Sequence, residues 1–155
     1  MDSYKLDPTD LKILDLLQTD GLMSYRELSK HTHKTHNPLV KRVNRLRELG
    51  YIKSTIAVID IAKIKNLFTA FSMVTLNNHS DMTLNDFQTQ IMQMPEVAEC
   101  HHISGEYDFM VKLVMEDIHC YTDFLRKRIA SLPYVASVRS FPALAETKRE
   151  LTYRL

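Results

Sequence analysis

Residues 24–50 read SYRELSKHTHKTHNPLVKRVNRLRELG, and this stretch decides the first half of the molecule. Ser24-Tyr25-Arg26-Glu27 has the form of a capping box, in which Ser24 accepts from the third backbone N–H while Glu27 reaches back to the cap. The helix it starts is short, ending near Lys30 or His31. After a turn, Thr35 can cap a further helix through Val40, Val43, Leu46 and Leu49, and Gly50 stops it. At about 100° per residue, Leu39, Val40, Val43, Leu46 and Leu49 fall on one side, and Asn37, Lys41, Asn44 and Arg45 project from the other.

A basic face that also carries amides suits a duplex. Lys and Arg can hold phosphate or guanine, and an amide such as Asn37 or Asn44 can pair with adenine in the major groove. Upstream, Asp7-Pro8-Thr9-Asp10 reads as a helix start, with Asp7 as N-cap, Pro8 in the first helical position and Asp10 complementing the dipole. Leu11, Leu14 and Leu17 then recur at helical spacing, and Gln18-Thr19-Asp20-Gly21 closes that helix. Three short helices with charge on the last predict a helix-turn-helix whose third member reads DNA. The residues expected at the duplex are Tyr25, Thr35, His36, Asn37, Lys41, Arg42, Asn44 and Arg45. A helical protein-binding module of the same shape is the alternative.

Charge placement supports the DNA reading. The formal net charge is only +1, yet residues 24–53 hold eight Lys/Arg against two Asp/Glu, while residues 64–155 hold nine against eleven. Positive charge gathered in one short stretch is the electrostatic footprint of a nucleic-acid binder, the alternative being a solvated basic surface. With 45% hydrophobic and 25% charged residues among 155, the composition is that of a soluble globular protein, and no apolar run approaches the roughly 20 residues of a membrane span. Met1-Asp2-Ser3-Tyr4-Lys5 lacks the pattern of a secretory signal, so a cytoplasmic location is expected. Cys100 and Cys120 are too few for a disulfide framework.

The remainder of the chain repeats itself at an offset of 38 residues: Phe71 with Phe109, Phe87 with Leu125, Ile91 with Ile129, Met94 with Leu132, Pro95 with Pro133 and Val97 with Val135. Each unit reads strand, helix, Pro, strand. Phe71, Met73 and Thr75 alternate with Ser72, Val74 and Leu76, and Phe109, Val111 and Leu113 with Met110, Lys112 and Val114. Leu84, Phe87, Ile91 and Met94 form one helix stripe, and Ile118, Tyr121, Leu125 and Ile129 the other. Joined by the Ser104-Gly105-Glu106 turn, the units predict an α+β, ferredoxin-like βαββαβ sheet with both helices on one face. Val74, Leu76, Met110 and Val114 are expected on the other face, covered by a second subunit about a two-fold axis unless that face is half wet on a monomer. The β-branched run Ile52–Asp60 reads as a connecting strand. The expected division is therefore 1–51 for DNA binding, 52–66 as connector and 67–155 for effector binding and assembly.

These residues resemble the Lrp/AsnC (feast/famine) regulators across nearly the whole chain. The resemblance is carried by Leu6-Asp7, Asp10, Ile13-Leu14, Leu17-Gln18, Asp20-Gly21, Glu27-Leu28, Arg42-Val43, Arg45-Leu46 and Gly50-Tyr51-Ile52, spacings included. In the second domain, Ser104-Gly105-Glu106-Tyr107-Asp108-Phe109 is similar to the family's Gly-x-x-Asp segment, and a late strand ending Glu146-Thr147-Lys148 to its closing motif. The resemblance implies a RAM-type second domain, transcription regulation on double-stranded DNA, dimers that often assemble into octamers, and an amino-acid effector bound between dimers, with no other cofactor. Where the family has Gly and then an apolar residue before the reading helix, this chain has His33 and Lys34; a left-handed position there costs a non-Gly side chain something like 1 kcal/mol. Pro142, in the last strand, removes a ladder donor and so marks a bulge or an edge.

The effector site is expected at the hairpin. Gly105 permits close backbone approach, Asp108 can accept from an ammonium group, and His102, Ser104, Glu106 and Tyr107 add polar contacts. A plain hairpin turn needing Gly is the alternative. No metal is expected: neither His31, His33 and His36 nor Cys100 with His102 has a recognised zinc spacing. Some haem-pathway decarboxylases resemble the same two-domain architecture, and His101, His102 and Arg139 would be their candidate groups here. That enzyme reading leaves the basic third helix unexplained, so a non-enzymatic regulator is expected.

Overall fold

The structure, a computed structural model, describes residues 4–155; Met1, Asp2 and Ser3 of the N-terminal reading lie outside the described residues. The chain divides into two units, 1–59 together with 148–155, and 60–147. This differs from the division expected, because the last eight residues return to the first unit. Gln18 is the visible link: its side-chain amide donates to the Tyr153 carbonyl and accepts from the Tyr153 N–H.

The first unit holds α1 (Pro8–Thr19), α2 (Tyr25–Thr32) and α3 (His36–Glu48). Local chemistry starts each. Asp7 and Asp10 form a complete capping box on α1, Ser24 and Glu27 another on α2, each cap contributing about 1 kcal/mol. Thr35 occupies the cap of α3 without a side-chain hydrogen bond. Between α2 and α3 the chain turns through His33 at φ 54° and ψ 31°, the left-handed conformation expected at that position. Ile13, Leu28, Leu39, Val43 and Leu46 make the core. On α1 Asp10 and Ile13 are buried and Leu14 and Leu17 of the expected stripe pack against this core, whereas Leu11 is 38% exposed.

In the second unit, β1 (Phe68–Leu76), β2 (Val97–His102), β3 (Phe109–Met115) and β4 (Val135–Pro142) form one antiparallel sheet in the order β2-β3-β1-β4. With α4 (Asp81–Met92) and α5 (Ile118–Phe124) this is the ferredoxin-like βαββαβ fold. Ala70, Val74, Leu76, Phe109, Val111 and Leu113 meet Phe87, Ile91, Tyr121 and Ile129 in its core. Ser72 is buried there too, satisfied by the Tyr121 hydroxyl at 3.0 Å. Among the described residues no helix is long and apolar enough to cross a membrane.

Three sequence expectations need correction. Ile52–Asp60 is not a strand: it has no ladder partner among the described residues, and Ile56, Val58 and Ile59 stand 62–72% exposed. Strand propensity without a neighbour to pair with makes no sheet. The last strand ends at Pro142, opposite Ala70, well before Glu146-Thr147-Lys148; β1 itself begins at Phe68, and Pro142 carries no donor. It is an edge strand, as a proline there requires.

The faces of β1 are also the reverse of those expected. Val74 and Leu76 lie under the helices, and the open face carries Phe71, Met73 and Thr75 beside Met110, Lys112 and Val114 of β3. The repeat explains the slip. The helix caps Ser80 and Asp117 lie 37 apart, not 38, and the same spacing relates Val74 to Val111 and Leu76 to Leu113. After α5 the chain makes one π turn over Leu125–Ile129, closed by the Ala130 N–H on the Leu125 carbonyl at 2.8 Å. That turn inserts one residue, and from Ile91 and Ile129 onward the offset becomes 38. Because side chains on a strand alternate, applying 38 to the strands moves β1 to the wrong face.

Candidate nucleic-acid interface and effector hairpin

Asn37, Lys41, Asn44 and Arg45 are exposed together on α3, with Thr35 and His36 exposed at its start. The opposite side of the helix is filled by Leu39, Val43 and Leu46. Tyr25, half-buried at the start of α2, meets the His36 ring edge-on at 5.4 Å, so two further candidates share one corner. Among the described residues no carboxylate lies within ion-pair distance of Lys41 or Arg45. Such a face presents cations and amides to solvent with its own backbone satisfied, which is what phosphate and base-edge recognition needs.

Arg42 has a different partner. Its guanidinium donates to Asp7 Oδ2 at 2.6 Å and to Asp10 Oδ1 at 2.7 Å, joining α3 to the cap of α1. Asp10 is fully buried and accepts as well from the Tyr4 hydroxyl at 2.7 Å and the Asp7 N–H at 3.1 Å. Burial alone pushes the Asp10 carboxyl up and is its largest influence; Tyr4, the Asp7 backbone and Arg42 together outweigh it and hold it below the ordinary range. The Asp7 carboxyl is also held down, first by the Asp10 N–H and, against the opposing cost of burial, by Arg42. One Arg42 nitrogen is thereby drawn toward α1 while the side chain stays 30% exposed, so a role in holding the helices is added to its expected place at the duplex. Sequence reasoning also passed over Tyr4, whose ring lies 5.3 Å beneath the Arg45 guanidinium. The only signal was an aromatic residue six positions ahead of Asp10.

The hairpin turns at Gly105, with φ 130°, a conformation side chains other than glycine rarely adopt. A Cβ there would meet nothing within 4 Å, so φ and not crowding requires the glycine. Ser104, Gly105 and Glu106 are exposed at the tip; His102 is exposed with its ring stacked on Phe109 at 4.8 Å; Tyr107 is half-buried, with Arg139 5.9 Å from its ring centroid. Asp108 is committed elsewhere: Oδ2 accepts from the Leu76 N–H at 2.7 Å, Oδ1 pairs with His79 at 2.9 Å, its N–H donates to Val74 and its carbonyl accepts from Ile103. These contacts fix the hairpin against the end of β1 and hold Asp108, 16% exposed, in one orientation, so that any effector contact it makes is made from there. His79 was invisible from sequence because the pairing crosses from one repeat to the other.

A cleft of about 560 Å³ in the same unit lies away from the hairpin, lined by Glu96, Met115, His119, Cys120, Thr122, Asp123 and Phe124. Burial pushes the Cys100 thiol up to about 11, which disfavours the thiolate. Among the described residues no three His, Cys, Asp or Glu side chains converge as a metal would need. The decarboxylase groups do not meet as a site either: His101 pairs with Glu99, His102 packs on Phe109 and Arg139 covers Tyr107.

Comparison with known proteins places both units. Residues 6–53 match the winged helix-turn-helix DNA-binding profile and residues 69–153 the Lrp/AsnC ligand binding domain. The chain is 36% identical over 143 residues to the proline dehydrogenase transcriptional activator of Rhizobium radiobacter, covering 92% of each chain. It is 33% identical over 140 residues to the Bkd operon transcriptional regulator of Pseudomonas aeruginosa, covering 90% of this chain and 92% of that protein. A transcriptional regulator of Neisseria meningitidis, solved in complex with L-Met, superposes with a TM-score of 0.86 at 26% identity over 97% of both chains.

Proposed function

The chain belongs to the Lrp/AsnC family of transcriptional regulators, a DNA-binding protein with a ligand-binding domain, and from that premise we propose that an amino acid sets its hold on double-stranded DNA. The observation that carries the DNA half is the solvent-facing set Asn37, Lys41, Asn44 and Arg45 on α3. The reading helix lies in the major groove, its first turn nearest the base edges, while Lys41 and Arg45 hold the backbone. The protein acts in the cytoplasm.

The sheet supports self-assembly. Around Thr75 and the Glu99-paired Lys112, its open face places Phe71, Met73, Met110 and Val114 on adjacent strands, a largely apolar surface that a second copy covers about a two-fold axis. A dimer presents two reading helices to a palindromic site, and dimers assemble further into octamers. The effector binds at the Ser104-Gly105-Glu106-Tyr107 hairpin tip, with backbone amides for its carboxylate; Asp108 and His102 shape the tip from behind. The L-Met bound to the Neisseria regulator supports an amino acid as the ligand class.

Selection of bound duplexes from random DNA, followed by mobility shifts, tests the reading. Lys41→Ala with Arg45→Ala abolishes the shift while the assembly sediments unchanged; an unaltered shift refutes the assigned face. Adding each of the twenty amino acids to the selected duplex moves the affinity for at least one of them, and Gly105→Ala removes that response.

A further inference from the structure

We propose that the segment Tyr4–Lys5 is a second arm of the DNA interface, and that the cleft it forms with α3 seats one backbone phosphate of the duplex between Lys5, Lys41 and Arg45. The inference rests on the DNA-binding reading above and adds to it a contact outside the helices.

The cleft is the starting observation. It encloses about 510 Å³, and its lining brings Tyr4 and Lys5 together with Asn37, Lys41 and Arg45 of the reading helix. The chain ahead of α1 is held in place there at three points. The Tyr4 hydroxyl donates to the buried Asp10, its ring lies under Arg45, and its carbonyl accepts from the Tyr51 hydroxyl at 3.3 Å. Tyr51 follows α3 and Asp10 belongs to α1, so the segment is fixed against two ends of the helical unit at once. A lysine placed next to such an anchor loses less freedom on contact than one on a free tail.

Charge then identifies the ligand. Asp7 and Arg42 also line the cleft, but they neutralise each other. Lys5, Lys41 and Arg45 have no carboxylate within ion-pair distance among the described residues, so the cleft presents three uncompensated cations. Arg45 is oriented by the Tyr4 ring and not by an acid, which leaves its donors available. The cavity is continuous with Asn37, a base-reading candidate, so an anion seated here lies beside a groove occupied by α3. A duplex phosphate satisfies both requirements. Contacts of this kind position a protein on DNA without reading sequence.

The test uses the full chain, the selected duplex and a scrambled duplex of equal length. Lys5→Ala, an exposed substitution, weakens binding to both duplexes by the same factor, about three- to tenfold near 0.1 M salt, and lowers the slope of log K against log salt by about 0.9. Tyr4→Phe keeps the ring under Arg45 and loses little, whereas Tyr4→Ala loses affinity at least as Lys5→Ala does, with circular dichroism checking that the helices persist. Unchanged affinity and slope in Lys5→Ala, while Lys41→Ala still weakens binding, overturns the arm and leaves the reading helix standing. If neither variant changes binding, the regulator face itself is wrong. A loss confined to the selected duplex assigns Lys5 to a base edge and overturns the phosphate seat. Saturable binding of inorganic phosphate to the DNA-free protein, abolished by Lys5→Ala, makes the cleft a small-anion site and overturns it too.

Discussion

The two units solve opposite surface problems. In the helical unit the exposed face of α3 is polar, and the shortest ion pairs are turned inward, where Arg42 meets Asp7 and the buried Asp10. In the sheet unit the inside is apolar apart from Ser72 with Tyr121 and the buried Thr83, and the outside carries Phe71, Met73, Met110 and Val114 around Thr75 and the Glu99-paired Lys112. A polar face can be wetted whenever its ligand leaves. An apolar face exposes surface at about 25 cal/mol per Å² whenever its cover leaves. The first therefore suits a partner that comes and goes, the second one that stays.

The largest test of this contrast is at the sheet. Met73→Glu with Met110→Glu places like charges on directly paired residues in the middle of the open face and is expected to weaken self-association by about 100-fold or more, read by sedimentation velocity. Parent-like sedimentation would erase the distinction drawn between the faces. Next comes the inward ion pair. Arg42→Ala strands a buried carboxylate, and the helical unit is expected to lose about 2–3 kcal/mol, less than a fully dry pair would because Arg42 is 30% exposed. Denaturant melts check this; a loss of DNA affinity with unchanged melting would confine Arg42 to the outer face.

The same pair sets an acid limit with a definite sign. The folded Asp7 and Asp10 carboxyls lie below their ordinary value of 3.8, so their contribution is full above that value and is lost as pH falls through the folded one. Melts of the parent should thus weaken below about pH 4, while Asp10→Asn, less stable at neutral pH, changes less over that interval. The smallest effect is at the turn. His33→Gly relieves a left-handed side chain and is expected to stabilise the helical unit by about 0.5–1 kcal/mol, part of the relief being offset by the freer unfolded chain.

What could be read from sequence was what is local. The caps at Asp7 and Ser24, the left-handed turn at His33 and the outward set on α3 are decided within a few residues, and they stand as read. Arg42 looked like its neighbours because its partners lie 32 and 35 positions away. Asp108 likewise looked free until folding brought Leu76 and His79 to it. β1 was turned over because both of its parities are apolar, so only the repeat could choose between them, and the π turn after Phe124 had already shifted that repeat. Ile52–Asp60 failed for the complementary reason, a good strand composition with no strand beside it.

The return of residues 148–155 to the first unit has a consequence for truncation. Residues 60–147 leave that unit through one stretch of chain and come back through another, which the Gln18 amide grips at Tyr153. The first unit is accordingly completed by chain from both sides of residues 60–147, and a fragment ending before residue 148 lacks part of it.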